Sequence, residues 1–290
     1  MLGRAAFFGD QVVAIFGYPF MTRALIAMAV LALASSVVGF FISLRDLEFV
    51  SDGLIHAVFP GLVVGFALAG SAGIIAGAFV AAVLAAVLLT YLMRRSVAGN
   101  DAAVAVVLTS LFSIGIVIVS KQENYVSQLE QLLFGRLLTV TDSQLIQIAV
   151  VATIAVALVL STWRRQIFRA FDPVGFLASG NRLYSTELIL NIAIAMLVVA
   201  GVQAIGNLMV LALLIVPMAF ARLVTRRIWL LLPLAFVAPL VSSIFGLWLS
   251  FEISVNQQVS ISAGALVVVS LLGCYLLALI WYLVRRMIRR

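Results

Sequence analysis

Long stretches without a charged residue constrain this chain more than any other feature. Seven windows contain no Asp, Glu, Lys or Arg: residues 24–44, 53–93, 102–120, 143–163, 188–221, 228–251 and 253–284. A helix needs about 20 apolar residues to cross a bilayer, so each window is long enough to span one. The composition agrees, because 65% of the residues are hydrophobic, against roughly 45–50% in a soluble domain. The sequence therefore excludes a water-soluble fold and predicts an all-α, polytopic integral membrane bundle.

Two of these windows are too long for a single crossing. Residues 53–93 are predicted to form a hairpin that turns near residues 69–73, and residues 188–221 a second hairpin that turns near residues 204–207. The count is then about nine membrane-spanning helices, with eight as the alternative. We expect one transmembrane domain over residues 1–290. Its residues 1–23 form an amphipathic prelude that lies along the interface or dips into it.

The arginines predict the orientation, because cytoplasmic loops of membrane proteins carry an excess of Lys and Arg. If Arg94 and Arg95 are cytoplasmic, alternate crossings place four further basic segments inside: Arg45 and residues 164–182, 222–227 and 285–290. Only Arg4, Arg23, Lys121 and Arg136 are then outside. The C-terminus is predicted to be cytoplasmic and the N-terminus extracytoplasmic. The net charge of +7 is thus explained by orientation, without a nucleic-acid partner.

The stretch "SDGLIHAVFPG" places Asp52 and the only histidine, His56, inside an apolar window. Residues four apart on a helix lie on one face, with Cβ atoms about 5–6 Å apart, so one ion could contact both side chains. Oxygen plus imidazole ligation suits Mn²⁺, Fe²⁺ or Zn²⁺, and ionisable groups inside a span indicate function by default. Two ligands are too few for a closed site, whereas two copies about a twofold axis supply four.

Two other interpretations of this motif remain open from the sequence. Asp52 could be a helix N-cap beside Ser51, with His56 hydrogen-bonded to a neighbouring helix. The pair could also form a proton relay.

Enzyme classes find little support in the sequence. No G-x-x-x-x-G-K-[ST] phosphate loop is present, so hydrolysis of ATP would need a separate subunit. One histidine cannot supply the H-E-x-x-H helix of an intramembrane metalloprotease. We therefore expect a transport subunit without a tightly bound cofactor.

Several separated segments resemble one family in the right order. "DGLIHAVFPG" is similar to the "GDALSHAVLPG" signature of the membrane permeases of bacterial manganese/zinc/iron ABC importers, the ABC-3 family. "LLFGRLLTVT", "FDPVGFLASG" and "QAIGNLMVLALLIVPMAFARL" extend the resemblance along most of the chain. It implies a type II ABC importer-like permease in the bacterial plasma membrane, with Asp52 and His56 as ligands for a transported Mn²⁺, Zn²⁺ or Fe²⁺.

The resemblance also implies partners. They are a cytoplasmic ABC ATPase dimer that supplies the ATP, an extracytoplasmic metal-binding protein, and a second permease copy, identical or closely related. Within residues 164–187, a cytoplasmic coupling segment is implied to dock on the ATPase. Its residues are Phe171, Asp172, Pro173, Val174, Gly175, Phe176, Leu177, Ala178, Ser179, Gly180 and Asn181. We expect a short helix, opened by Asp172 and Pro173 and closed by Gly180 or Asn181.

The chain departs from the family pattern in two places. Ser51 stands where the family often has Gly, and "VSISAGA" stands where many members have "DLPSGA", which puts a metal ligand from that region in doubt. Two alternative functions are weighed. A permease for cobalamin or siderophore chelates would not need the Asp52–His56 pair, and an ion-gradient-driven secondary transporter would show further intramembrane acids or matching halves.

Overall fold

The computed structural model describes residues 15–95, 99–120, 135–257 and 262–288, apart from the side chains of residues 71, 203 and 257. Within these ranges the regular structure is entirely helical, and nine helices are long and apolar enough to cross a membrane, as predicted. In chain order the helices are α1 (Pro19–Leu44), α2 (Glu48–Gly70), α3 (Ala72–Arg95), α4 (Asn100–Val119), α5 (Asp142–Ser161), α6 (Trp163–Phe171), α7 (Pro173–Ala178), α8 (Leu183–Val202), α9 (Ala204–Val224), α10 (Ile228–Gln257) and α11 (Ala263–Ile288).

Both predicted hairpin turns are confirmed. The first lies at Ala69 and Gly70, where the backbone leaves the helical region and Gly70 has a φ of 60°. The second lies at Gly206, in the first turn of α9, with a φ of 77°. Positive φ angles strain residues that carry a Cβ, which explains glycine at both turns. The long apolar windows therefore each hold two crossings.

The α2–α3 hairpin is held together by backbone contact between glycines. A Cβ built at Gly61, Gly65, Gly73 or Gly77 would overlap a backbone oxygen of the facing helix. Small residues four apart allow such close approach between membrane helices, where van der Waals packing replaces the hydrophobic effect. Helix α4 packs on the same hairpin, and Gly53 and Gly115 admit Val104 and Phe59 there.

Helices α1, α8 and α9 form the centre of the bundle, and most of their residues are buried. Helices α4 and α5 lie at its periphery. Near the end of α1, Phe40 and Phe41 pack on Trp163 with ring centroids 5.5 and 4.7 Å apart. These contacts fix the start of α6 against the bundle.

Part of the predicted prelude, residues 1–14, lies outside the described residues. Residues 19–23 form the first turn of α1, with Pro19 at a first-turn position where its missing N–H has no helical partner to lose. The first span therefore begins five residues before the first charge-free window.

Candidate metal pathway and coupling segment

Asp52 and His56 meet on α2 as the spacing predicts. The imidazole Nε2 lies 3.3 Å from Asp52 Oδ1, and the two side chains are 23% and 28% exposed for His56 and Asp52 respectively. The His56 ring packs edge-on against Phe112 of α4, with ring centroids 5.1 Å apart. The pair is therefore held on one helix, beside α4, and remains partly open at the surface of the single chain.

The cap interpretation of this motif is wrong. Helix α2 begins at Glu48, so Asp52 lies in its second turn, past the position where a side chain can cap the first amides. Ser51 is fully buried and its hydroxyl donates to the carbonyl oxygens of Leu47 and Glu48. Among the described residues, His56 Nδ1 has no hydrogen-bond partner, so no neighbouring helix binds the imidazole there.

The incompletely covered face of α2 extends beyond the pair. Phe49, Asp52, His56, Pro60 and Val64 are all partly exposed, and they follow one another at helical spacing. Residues three or four apart share a face, so this stripe is continuous along the first four turns. An ionisable pair on an otherwise apolar span is costly to expose to lipid tails. The stripe is a surface that another polar or protein surface must cover.

One chain supplies two side chains of a type that can bind metal here. Among the described residues, no group of three or more His, Cys, Asp or Glu side chains could hold a metal ion together. Pro60, one turn after His56, has no amide to donate to the His56 carbonyl oxygen, which helical geometry would otherwise pair with residue 60. That carbonyl is a further oxygen beside the pair.

The short helix predicted for the expected coupling segment is confirmed as local structure. Helix α7 spans Pro173–Ala178, Asp172 Oδ1 accepts a hydrogen bond of 2.8 Å from the Gly175 amide, and Gly180 follows with a φ of 74°. Phe176 is fully buried and packs edge-on against Phe168 of α6. Phe171, Val174 and Leu177 are 62%, 77% and 52% exposed. The segment is thus an anchored knob with an apolar outer face.

A buried polar network holds this knob to the bundle, and sequence reasoning missed it. Arg45, between α1 and α2, donates to Gln166 of α6 at 3.0 Å and lies 3.4 Å from Glu187 of α8. Arg169 of α6 pairs with the same carboxylate at 3.1 Å. Gln166, which is fully buried, donates to the Thr186 carbonyl oxygen at 2.8 Å. The α1–α2 connection, α6 and α8 are therefore joined at one end of the bundle.

The charge on Arg45 is the costly member of this network. Burial lowers the pKa of Arg45 to about 10, while Glu187 acts in the opposite direction and Arg169 adds to the lowering. A value of about 10 still leaves the guanidinium charged at neutral pH. Glu187 therefore compensates a cation that is only 6% exposed.

Comparisons with known proteins agree with this architecture. The chain is 29% identical over 260 residues to the manganese transport system membrane protein MntC of Halalkalibacterium halodurans, covering 90% of this chain and 87% of that protein. It is also 29% identical over 238 residues to the chelated iron transport system membrane protein YfeD of Yersinia pestis, covering 82% and 79%.

A solved structure extends the likeness to the fold. PsaBC from Streptococcus pneumoniae, in complex with Fab, superposes with a TM-score of 0.77 at 25% identity, over 93% of this chain and 95% of that chain. The family model described as the ABC 3 transport family matches residues 17–282. The chain therefore belongs to the ABC 3 transport family and is a transmembrane permease subunit rather than an enzyme.

Proposed function

We propose that this permease imports a divalent transition-metal ion, with Mn²⁺ preferred over Fe²⁺ and Zn²⁺, and that Asp52 and His56 are its pathway ligands. The observation that carries the proposal is the 3.3 Å separation between His56 Nε2 and Asp52 Oδ1. Two ligand atoms about 2.1 Å from one ion are roughly 3.0 Å apart at a right angle and roughly 3.4 Å apart at the tetrahedral angle. The two side chains therefore need little movement to bind one ion together. The ion would replace the direct contact between the carboxylate and the imidazole.

A second copy of the permease completes the site in this proposal. Asp52 and His56 lie on the partly exposed stripe of α2, and a twofold axis along that stripe would place two carboxylates and two imidazoles together. Mixed oxygen and nitrogen ligands suit Mn²⁺, Fe²⁺ and Zn²⁺ rather than Cu(I). The preference for Mn²⁺ follows the similarity to MntC, which is a manganese transport protein. An ion bound by four side-chain ligands, each of which can dissociate from it, can also be released.

We propose the orientation predicted from the arginines, with the knob and the network of Arg45 in the cytoplasm. An ATPase dimer would then bind the apolar face of Phe171, Val174 and Leu177, whose exposure in water would otherwise be unfavourable. An extracytoplasmic binding protein would deliver the ion from the other side. The rigid path from the knob through α6 to α1, α2 and α8 would carry the ATP-driven movement to the helix that bears the ligands.

Changing the outer face of the knob should uncouple the transporter. We expect Val174→Asp combined with Leu177→Asp to weaken ATPase binding by about tenfold or more, because each carboxylate would have to be desolvated in an apolar contact. Co-purification and the affinity of the purified subunits measure this effect. Val174→Ala, which keeps the face apolar, should retain binding, and equal binding by both variants would move the docking site elsewhere.

The proposed function is tested by uptake into vesicles that contain the permease with its cognate ATPase and binding protein. We expect ATP-dependent accumulation of ⁵⁴Mn²⁺, competition by Fe²⁺ and Zn²⁺, and no competition by a cobalamin or a ferric siderophore. A chelate competing as well as the free ion would favour the chelate alternative. Uptake driven by an ion gradient without ATP would favour the secondary-transporter alternative.

A further inference from the structure

A basic cavity lies where two basic segments that are distant in sequence come together. The cavity has a volume of about 670 Å³ and is formed by the α9–α10 connection and the last turns of α11. Its lining includes Trp281 and five arginines: Arg222, Arg226, Arg227, Arg285 and Arg286. Five of the ten lining side chains are therefore guanidinium groups, although the two segments are 54 positions apart at their nearest residues, Arg227 and Trp281.

Among the residues that the structure describes, no acidic side chain compensates the charge of this cavity. None of its lining residues is acidic, and within the described ranges no carboxylate forms an ion pair with its arginines. Arg222 donates to the Ser43 carbonyl oxygen, and Arg285 lies over the Trp281 ring at 5.1 Å. The cavity beside Arg45 differs, because Asp46 and Glu187 line it together with its arginines. Positive charge is therefore concentrated in one cavity and balanced in the other.

The side chains that flank the cavity are apolar and exposed. Trp229, at the start of α10, is 91% exposed, and its neighbours Ile228 and Leu230 are 48% and 44% exposed. On α11, Trp281 is 47% and Ile288 80% exposed. Tryptophans at the ends of membrane helices mark the level of the lipid headgroups. The basic cavity thus opens at the membrane–water boundary, beside surfaces suited to acyl chains.

We propose that this cavity binds the headgroup of an anionic phospholipid. The phosphate would be held by Arg226, Arg227, Arg285 and Arg286, and the acyl chains would lie against the exposed apolar side chains of α10 and α11. Guanidinium groups bind phosphate oxygens in charge-assisted pairs, and basic pockets between membrane helices are suited to anionic headgroups. A soluble anion would use the arginines and leave the apolar wall uncovered, whereas a lipid satisfies both.

Native mass spectrometry of the full-length permease tests the proposal, with phosphatidylglycerol and phosphatidylcholine of the same acyl chains as probes. The wild-type chain is expected to retain phosphatidylglycerol preferentially. Arg226→Gln combined with Arg285→Gln should lower that preference by about 25-fold, since each arginine near an anionic surface contributes about fivefold. Arg164→Gln combined with Arg165→Gln, which removes the same charge from two exposed positions of α6, should leave the preference unchanged.

The Arg226→Lys, Arg285→Lys variant should retain most of the preference for phosphatidylglycerol. The unfolding temperatures of the Lys and Gln variants show whether the fold is intact.

Each alternative occupant of the cavity has its own result. Displacement of the lipid by millimolar inorganic phosphate would overturn the proposal in favour of a soluble phosphate site. Displacement by the purified ATPase would assign the cavity to protein docking. An equal loss of the preference in the Arg164→Gln, Arg165→Gln control would overturn the proposal, because net charge alone would then explain the effect.

Discussion

Alanine at both Asp52 and His56 is expected to abolish ATP-dependent uptake of Mn²⁺ into vesicles. The double substitution removes both proposed ligands of one copy from the partly exposed stripe of α2, and in the proposed twofold assembly it removes all four. The single variants Asp52→Asn and His56→Gln should each lower uptake by about tenfold or more. Even the loss of a group that only orients a metal ligand commonly costs that much in affinity or activity.

Folding and pathway effects can be separated in this experiment. Asp101→Asn is a matched control, because Asp101 is an exposed acid in the first turn of α4, next to the hairpin that carries the pair. We expect it to retain uptake. The double alanine variant should keep its ATPase binding and its unfolding temperature, since both side chains are partly exposed and Phe112 loses only an edge contact. Wild-type uptake by the double variant would remove both residues from the pathway.

Local patterns in the sequence predicted much of the bundle and the pair itself. The charge-free windows predicted the membrane-spanning helices, because insertion into a bilayer depends on the composition of each segment. The turn at Gly206 was predicted from the polar and glycine residues inside a window too long for one crossing. Asp52 and His56 were predicted to meet because a helix places residues four apart on one face. These features depend on neighbours in the sequence.

The network of Arg45 depends on tertiary packing and could not be predicted in the same way. Arg45 and Glu187 are separated by 142 positions, and the sequence indicated only that Arg45 lies at the end of a span. Gln166, in the basic segment "RRQIF", resembles a solvated loop residue, yet it is fully buried. Its burial depends on the packing of Trp163 against Phe40 and Phe41, which brings α6 under α1.

The second large effect is expected from Glu187→Gln, which removes the carboxylate that Arg45 and Arg169 share. We expect a loss of about 3–5 kcal/mol in the free energy of unfolding, because breaking a buried ion pair leaves a buried charge without compensation. Asp142→Asn is the matched control. Its pair with Arg23 has the shorter separation, 2.6 Å, but Asp142 is 73% exposed, and exposed pairs contribute about 1 kcal/mol or less. Thermal and denaturant unfolding in detergent compares the two variants.

The pH dependence of this loss follows from the direction of the pKa shift. Because the folded-state pKa of Arg45, about 10, lies below that of the unfolded chain, the unfolded state binds more protons only as the pH rises past about 10. Below that pH the guanidinium of Arg45 is charged in both the folded and the unfolded state, so the free-energy cost of burying it is constant through the neutral range. The loss in the free energy of unfolding caused by Glu187→Gln should therefore be equally large on either side of pH 7. Replacing Arg45 with Met and Glu187 with Leu together should recover part of the stability, because the buried charge of Arg45 is removed with its partner. Recovery is incomplete, because Arg169 loses its carboxylate and Gln166 its donor. Equal, small losses for Glu187→Gln and Asp142→Asn would mean that α6 and its knob are held by the aromatic contacts alone.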